Sequence, residues 1–237
     1  MLVAAAVVPC PPLLVPEVAA GAAAELDPLR AACYDAVGVL AAARPEKLVV
    51  VGAAEQSGRG PHPQGAGGSF RDVGVHLDVT LGERHGDVPG RPLPPSLTVA
   101  AWLLTRTEWS ASPVEGLGVG EPLAAEECLA VGGEVAASAR RVALLVAGDG
   151  SARRSVKAPG YLDERAAAFD ASVAGALAAA DTDALAALDG ELAAALMATG
   201  RAPWQVLAGA GRNAGLRGEL LYDHAPYGVG YFVATWS

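Results

Sequence analysis

Three stretches of the chain, Leu2–Val8, residues 47–51 and Val142–Ala147, are apolar with almost no alternation. That pattern predicts strands buried on both faces, as in a parallel sheet sandwiched between helices. Residues 73–81 instead alternate apolar and polar positions, which predicts a strand with one solvated face. Val114–Val119 reads as a further short strand, and residues 219–222 and 229–236 as paired C-terminal strands. Between the strands, apolar residues recur at helical spacing. Leu26, Leu29, Cys33, Val37 and Leu40 predict a helix over 22–43, which Pro45 ends. Helices are also predicted over 97–104, 122–139, 162–179, 182–199 and 204–210, with Asp181 placed to cap the helix over 182–199. Segment 56–68 is rich in Gly, Pro and Ser and reads as a loop long enough to cover something. No linker or internal repeat divides the chain, so one α/β domain spanning 1–237 is expected.

Composition narrows the function classes. The 237 residues carry a net charge of −9, and no basic run exceeds pairs such as Arg153-Arg154. Nucleic acid is therefore not the expected partner. Cys10, Cys33 and Cys128 form neither a disulfide framework nor a zinc-finger spacing, and a reducing cytoplasm is the simpler expectation. The apolar start lacks a basic lead and meets Pro9, Pro11 and Pro12 at once. It reads as neither a signal peptide nor a membrane span, which needs about 20 apolar residues.

In an open α/β sheet, ligands collect beyond the carboxyl ends of the strands. The strand Val142–Ala147 ends in Gly148-Asp149-Gly150-Ser151, so Asp149, Ser151 and Arg153 leave the sheet where chemistry is expected. With Arg153 and Arg154, this turn either holds an anion on backbone N–H groups or is a tight turn with exposed arginines. Cys10 follows the first strand in a proline-framed loop, where free cysteine ordinarily serves as a small hydrophobe. His62, His76 and His85 share no ligand spacing and read as surface residues, whereas His224 lies in a Pro-Gly turn from which it can face a pocket. Gly209-Ala210-Gly211 with Gly215 leaves too little chain for a dinucleotide-binding unit and reads as a plain loop.

Taken in order, several of these turns resemble one family. They are Val8-Pro9-Cys10-Pro11-Pro12-Leu13-Leu14-Val15-Pro16-Glu17, residues 48–54, Gly68-Ser69-Phe70-Arg71-Asp72-Val73-Gly74, Gly148-Asp149-Gly150-Ser151, Ala158-Pro159-Gly160-Tyr161 with Phe169-Asp170, and Ala225-Pro226-Tyr227-Gly228-Val229-Gly230-Tyr231. Their order is similar to that of the class III extradiol ring-cleavage dioxygenases in their subunit-B (LigB-like) form, which are related to the Memo-like proteins. The resemblance implies a three-layer α/β/α domain with a central mixed, mostly parallel sheet. It also implies ferrous iron held by two histidines and a carboxylate, with a further histidine as acid and base. Those positions fall here on Cys10, Ala54, His224 and Ala152 respectively, so the iron is implied while its ligands are replaced, and no cofactor is expected in the family manner.

Three readings follow. The first is a dioxygenase-like protein without ring cleavage whose former pocket binds a small molecule or whose surface binds a protein partner. The second is a rebuilt centre in which Cys10 and His224 are neighbours, with Glu55 and Asp149 near, serving as zinc or copper ligands or as a thiol nucleophile with its base. The third is a genuine extradiol-type oxidoreductase with ligands drawn from elsewhere, such as His62 or His85. A homo-oligomer is compatible with all three.

Overall fold

The computed structural model describes residues 1–84, 86 and 90–237. Its strands are β1 (Leu2–Val8), β2 (Lys47–Ala53), β3 (Gly60–His62), β4 (Gly67–Ser69), β5 (Asp78–Thr80), β6 (Val114–Val119), β7 (Val142–Ala147), β8 (Gly218–His224) and β9 (Tyr231–Trp236). Its helices are α1 (Pro16–Ala19), α2 (Asp27–Ala42), α3 (Pro95–Arg106), α4 (Ala125–Ala137), α5 (Arg165–Ala179), α6 (Thr182–Ala186), α7 (Gly190–Ala195) and α8 (Arg201–Gly211). Seven strands form one sheet in the order β3-β6-β2-β7-β1-β9-β8, and β4 and β5 form a separate two-stranded ribbon. The centre, β6-β2-β7-β1, is parallel. Strand β3 is antiparallel to β6 at one edge, and β9 is antiparallel to both β1 and β8 at the other.

The unalternating runs explain this architecture. Each central strand sends successive side chains to opposite sides. Ala4, Ala6, Val8, Leu48, Val50, Ala143 and Leu145 pack under α2 and α3, whereas Ala5, Val7, Val49, Val51, Val142, Leu144 and Val146 pack under α4, α5 and α8. The result is a three-layer α/β/α sandwich. The connections leaving β1 and β2 thus run to one face and those leaving β6 and β7 to the other. Strand β2 lies between β6 and β7 in the sheet. Adjacent strands whose connections diverge leave a crevice at their carboxyl ends.

Several expected elements form differently. Residues 20–26 coil as a 3-10 segment, so the regular helix starts at Asp27. Only Asp78–Thr80 of the alternating segment pairs, because Arg71–Val73 forms a 3-10 turn closed by Gly74 at φ +85°. The helix expected over 182–199 is two helices, since Asp189 accepts from the Glu191 and Leu192 N–H groups and starts a new one, as Asp181 does for α6. The loop over 56–68 contributes the edge strand β3, where Pro61 is tolerated because edges leave donors unused. Gly209-Ala210-Gly211 is not a loop but the last turn of α8. His62 is buried, not on the surface, with Nε2 2.8 Å from the Gly58 carbonyl oxygen. His76 is exposed as expected, and His85 lies outside the described residues. Among the described residues no helix is long and apolar enough to cross a membrane.

Candidate functional site

Four parallel strands deliver their carboxyl ends to one cleft of about 470 Å³. Strand β1 leads into Cys10, β2 into Ala54 and Glu55, β6 into Glu121 and Pro122, and β7 into Asp149. Arg59 from the segment before β3, Pro95 and Ser96 from the first turn of α3, and Thr199 from the segment before α8 complete the wall. The strand ends are locked to one another. The Cys10 N–H donates to Asp149 Oδ1 at 2.8 Å, the Gly148 N–H to the Val8 carbonyl at 3.0 Å, and the Ala54 N–H to the Val119 carbonyl at 2.8 Å. Ser96 Oγ donates to the Ala53 carbonyl at 2.6 Å and so fixes the start of α3 on β2. Asp149 is tied further, its N–H to Thr199 Oγ1 at 3.3 Å and its carbonyl to the Gly200 N–H at 2.9 Å. Gly148 is required here because a Cβ would stand 2.5 Å from the Gly200 Cα.

The electrostatics follow from burial. Desolvation pushes the Asp149 carboxyl up to about 7, with the Cys10 N–H pulling the other way. Burial, assisted by the Asp149 charge, raises the Cys10 thiol well above its ordinary value. Tyr231, at the start of β9, is raised by burial and feels both Asp149 and Cys10. At neutral pH the thiol and the phenol are therefore neutral, and a thiol held protonated is a poor nucleophile.

The sequence candidates divide into two groups. Cys10, Asp149 and Glu55 share the cleft. Ser151 and His224 do not line it. Ser151 is fully buried, donating its N–H to Asp170 Oδ1 and its Oγ to Asp170 Oδ2, both at 2.8 Å. Arg154 donates to the same Oδ2 at 3.0 Å, while the Gly150 N–H goes to the Gly230 carbonyl at 2.7 Å. The turn thus does hold an anion, but it is the chain's own Asp170 from α5. His224 is exposed at the end of β8, its ring edge-on to Tyr222 with centroids 5.0 Å apart. The sheet order separates it from Cys10, because β9 lies between β1 and β8 and two strand spacings come to about 10 Å.

Iron fits this arrangement poorly. Of the positions the resemblance implies, 10 and 54 reach the cleft, whereas 152 and 224 do not. Alanine offers no donor at 54, and Ala152 is buried with its N–H on the Leu196 carbonyl. Among the described residues, no three His, Cys, Asp or Glu side chains are grouped so as to hold a metal ion. Cys10 and Glu55 line the cleft without His224, so the three expected zinc or copper ligands are not brought together. Sequence reasoning did not single out Arg59, Ser96, Glu121, Thr199 or Tyr231. Tyr231 begins β9 and the other four lie within two residues of an element end, and only the strand order shows that those ends meet.

No family model and no curated protein matches the chain. Among solved structures it is similar to that of the uncharacterized protein JW3007 from Escherichia coli K12, with a TM-score of 0.57 at 15% identity over 99% of each chain. That likeness spans the whole sandwich and speaks for the fold alone.

Proposed function

We propose that the protein is a dioxygenase-like α/β/α sandwich that binds a small molecule in the cleft at the carboxyl ends of β1, β2, β6 and β7, without iron-dependent ring cleavage. The observation that carries this reading is the cleft itself, at the divergence of the β2 and β7 connections, with the Cys10 N–H bound to Asp149 across its floor. Its volume lies within the range of small-molecule sites. The order of the turns supports a LigB-like ancestry, and the residues standing at the implied ligand and base positions argue against that family's chemistry. Ring cleavage needs a metal open to diol and oxygen together and a base for the second hydroxyl, and Ala54 and Ala152 supply neither.

A fragment screen by thermal shift tests the binding. Fragments that raise the melting temperature of the wild type should lose their effect in Glu55→Trp, which projects an indole into the cleft from an exposed position. In parallel, oxygen uptake with catechol should stay at background after anaerobic reconstitution with ferrous iron. Iron-dependent turnover of catechol by the unmodified protein would refute the second half of the reading. Fragment effects that survive Glu55→Trp would refute the first.

A further inference from the structure

The ribbon of β4 and β5 packs on α3, and the two flank a second cavity, of about 570 Å³, that shares no lining residue with the cleft. The ribbon comes close because Gly68 has no side chain: a Cβ there would stand 2.6 Å from Thr98 Oγ1. Leu77, Val79 and Pro92 give the cavity an apolar wall, and Trp102 of α3 lines it from beneath. Trp102 is the informative member. It is only 3% exposed, yet its indole N–H has no acceptor among the described residues. Of the other tryptophans, Trp109 and Trp236 donate to the Ser112 and Leu177 carbonyls. Trp204 is sealed in the core with its N–H unpaired. The Trp102 N–H is unpaired without being sealed, so it opens into the cavity that the ring lines. A buried indole N–H ordinarily finds a partner. This one is aimed at an acceptor that the described residues do not supply.

The charged groups of the cavity point the same way. Arg106 follows Trp102 by four residues on α3, so the two lie on one face of the helix, a turn apart. Arg84 lines the cavity as well, and among the described residues neither arginine makes an ion pair. Asp78 is already held by Ser69 and Arg71, both at 2.7 Å, which leaves two guanidiniums against the exposed Glu17. The hydroxyls of Thr80 and Thr105 donate to the Gly82 and Ala101 carbonyls. The unused hydrogen-bonding groups are thus chiefly ones that donate and cannot accept, an indole N–H and two guanidiniums. We propose that this cavity binds a small organic carboxylate, its oxygens accepting from the Trp102 N–H and the Arg106 guanidinium and its apolar tail lying against Leu77, Val79 and Pro92. A carboxylate matches the arginine fork and offers a second lone pair to the indole. The site is separate from the cleft and stands or falls without it.

Hexanoate, hexanol and hexylamine share a tail and differ in the head group, and titration calorimetry on the full chain separates them. Hexanoate should bind at least about tenfold more tightly than hexanol, the margin of one charge-assisted hydrogen bond, and hexylamine no better than hexanol. Arg106→Gln, at an exposed position, should remove that preference and leave hexanol binding unchanged. Trp102→Phe keeps a ring but not the N–H and should weaken hexanoate several-fold with hexanol unaffected. Gly67→Phe should abolish binding of both, since Gly67 lines the cavity and a Cβ there meets nothing within 4 Å. Should Trp102→Phe fail to fold, the Arg106 and Gly67 variants still decide. Glu55→Trp should leave hexanoate binding intact, and fragments whose effect Gly67→Phe removes belong to this cavity and not to the cleft. Hexylamine binding above hexanoate, hexanoate binding indifferent to Arg106→Gln or to Gly67→Phe, or silence of all three probes would overturn the inference. Hexanoate binding lost in Glu55→Trp but kept in Gly67→Phe would overturn it while supporting the cleft.

Discussion

Asp149 carries a stability cost that can be measured. In the unfolded chain an aspartate titrates near 3.9, whereas burial holds it to about 7 in the fold. Between those values the native state keeps a proton that the unfolded chain has released, so its contribution to stability falls as pH rises from about 4 to 7 and is level above. Asp149→Asn removes the ionisation and keeps the acceptor for Cys10. It should therefore melt a few degrees above the wild type at pH 8, with the difference closing below pH 4, in thermal melts across that range. A variant that melts lower at pH 8 would mean that the carboxylate has a favourable partner in the fold. The sequence marked Asp149 correctly as a residue leaving the sheet at its carboxyl end. It marked Ser151 for the same reason, yet Ser151 serves the interior, because Asp170 sits nineteen residues away on α5 and only packing brings them together. His62 was misplaced because a short apolar stretch of Gly and Pro shows no burial pattern, although its imidazole is enclosed over β6.

Helix packing carries a constraint that composition hid. Helices α4 and α8 cross at two glycines. A Cβ on Gly132 would lie 2.0 Å from the Val206 carbonyl oxygen, and one on Gly209 2.2 Å from that of Leu129. The backbones approach as closely as small residues allow, so Gly209→Val should cost about 1–3 kcal/mol in urea denaturation. Gly133, one residue along α4 and exposed, meets nothing within 4 Å. Gly133→Ala should instead stabilise by about 0.5–1 kcal/mol through helix propensity. Equal effects at 133 and 209 would show that propensity alone is at work. In the sequence both glycines lie in alanine-rich stretches, and Gly209-Ala210-Gly211 even suggested a loop. Glycine reads as a breaker until a neighbouring helix shows why it is needed.

Across the whole molecule, the sheet couples two apolar layers. Trp102 is buried on the face of α2 and α3, and Trp204 and Trp236 on the face of α4, α5 and α8. Because β1, β2 and β7 feed both layers with alternate side chains, neither layer can lose its packing alone. Phenylalanine replacements that leave one tryptophan layer as the fluorescent reporter should therefore give coincident unfolding midpoints. Separated midpoints would mean that the layers unfold as independent units. The sequence by itself determined the sandwich, since uninterrupted apolar strands can be buried on both faces in few other ways. It also determined where β1, β2 and β7 stop, because local turn residues announce where a strand ends. Only the tertiary structure decided which turns meet. Strand order is set by nonlocal packing, and it places β2 and β7 beside each other while putting β9 between Cys10 and His224. The same order joined Cys10 to Asp149, because β1 and β7 are neighbours and their ends meet at one cleft.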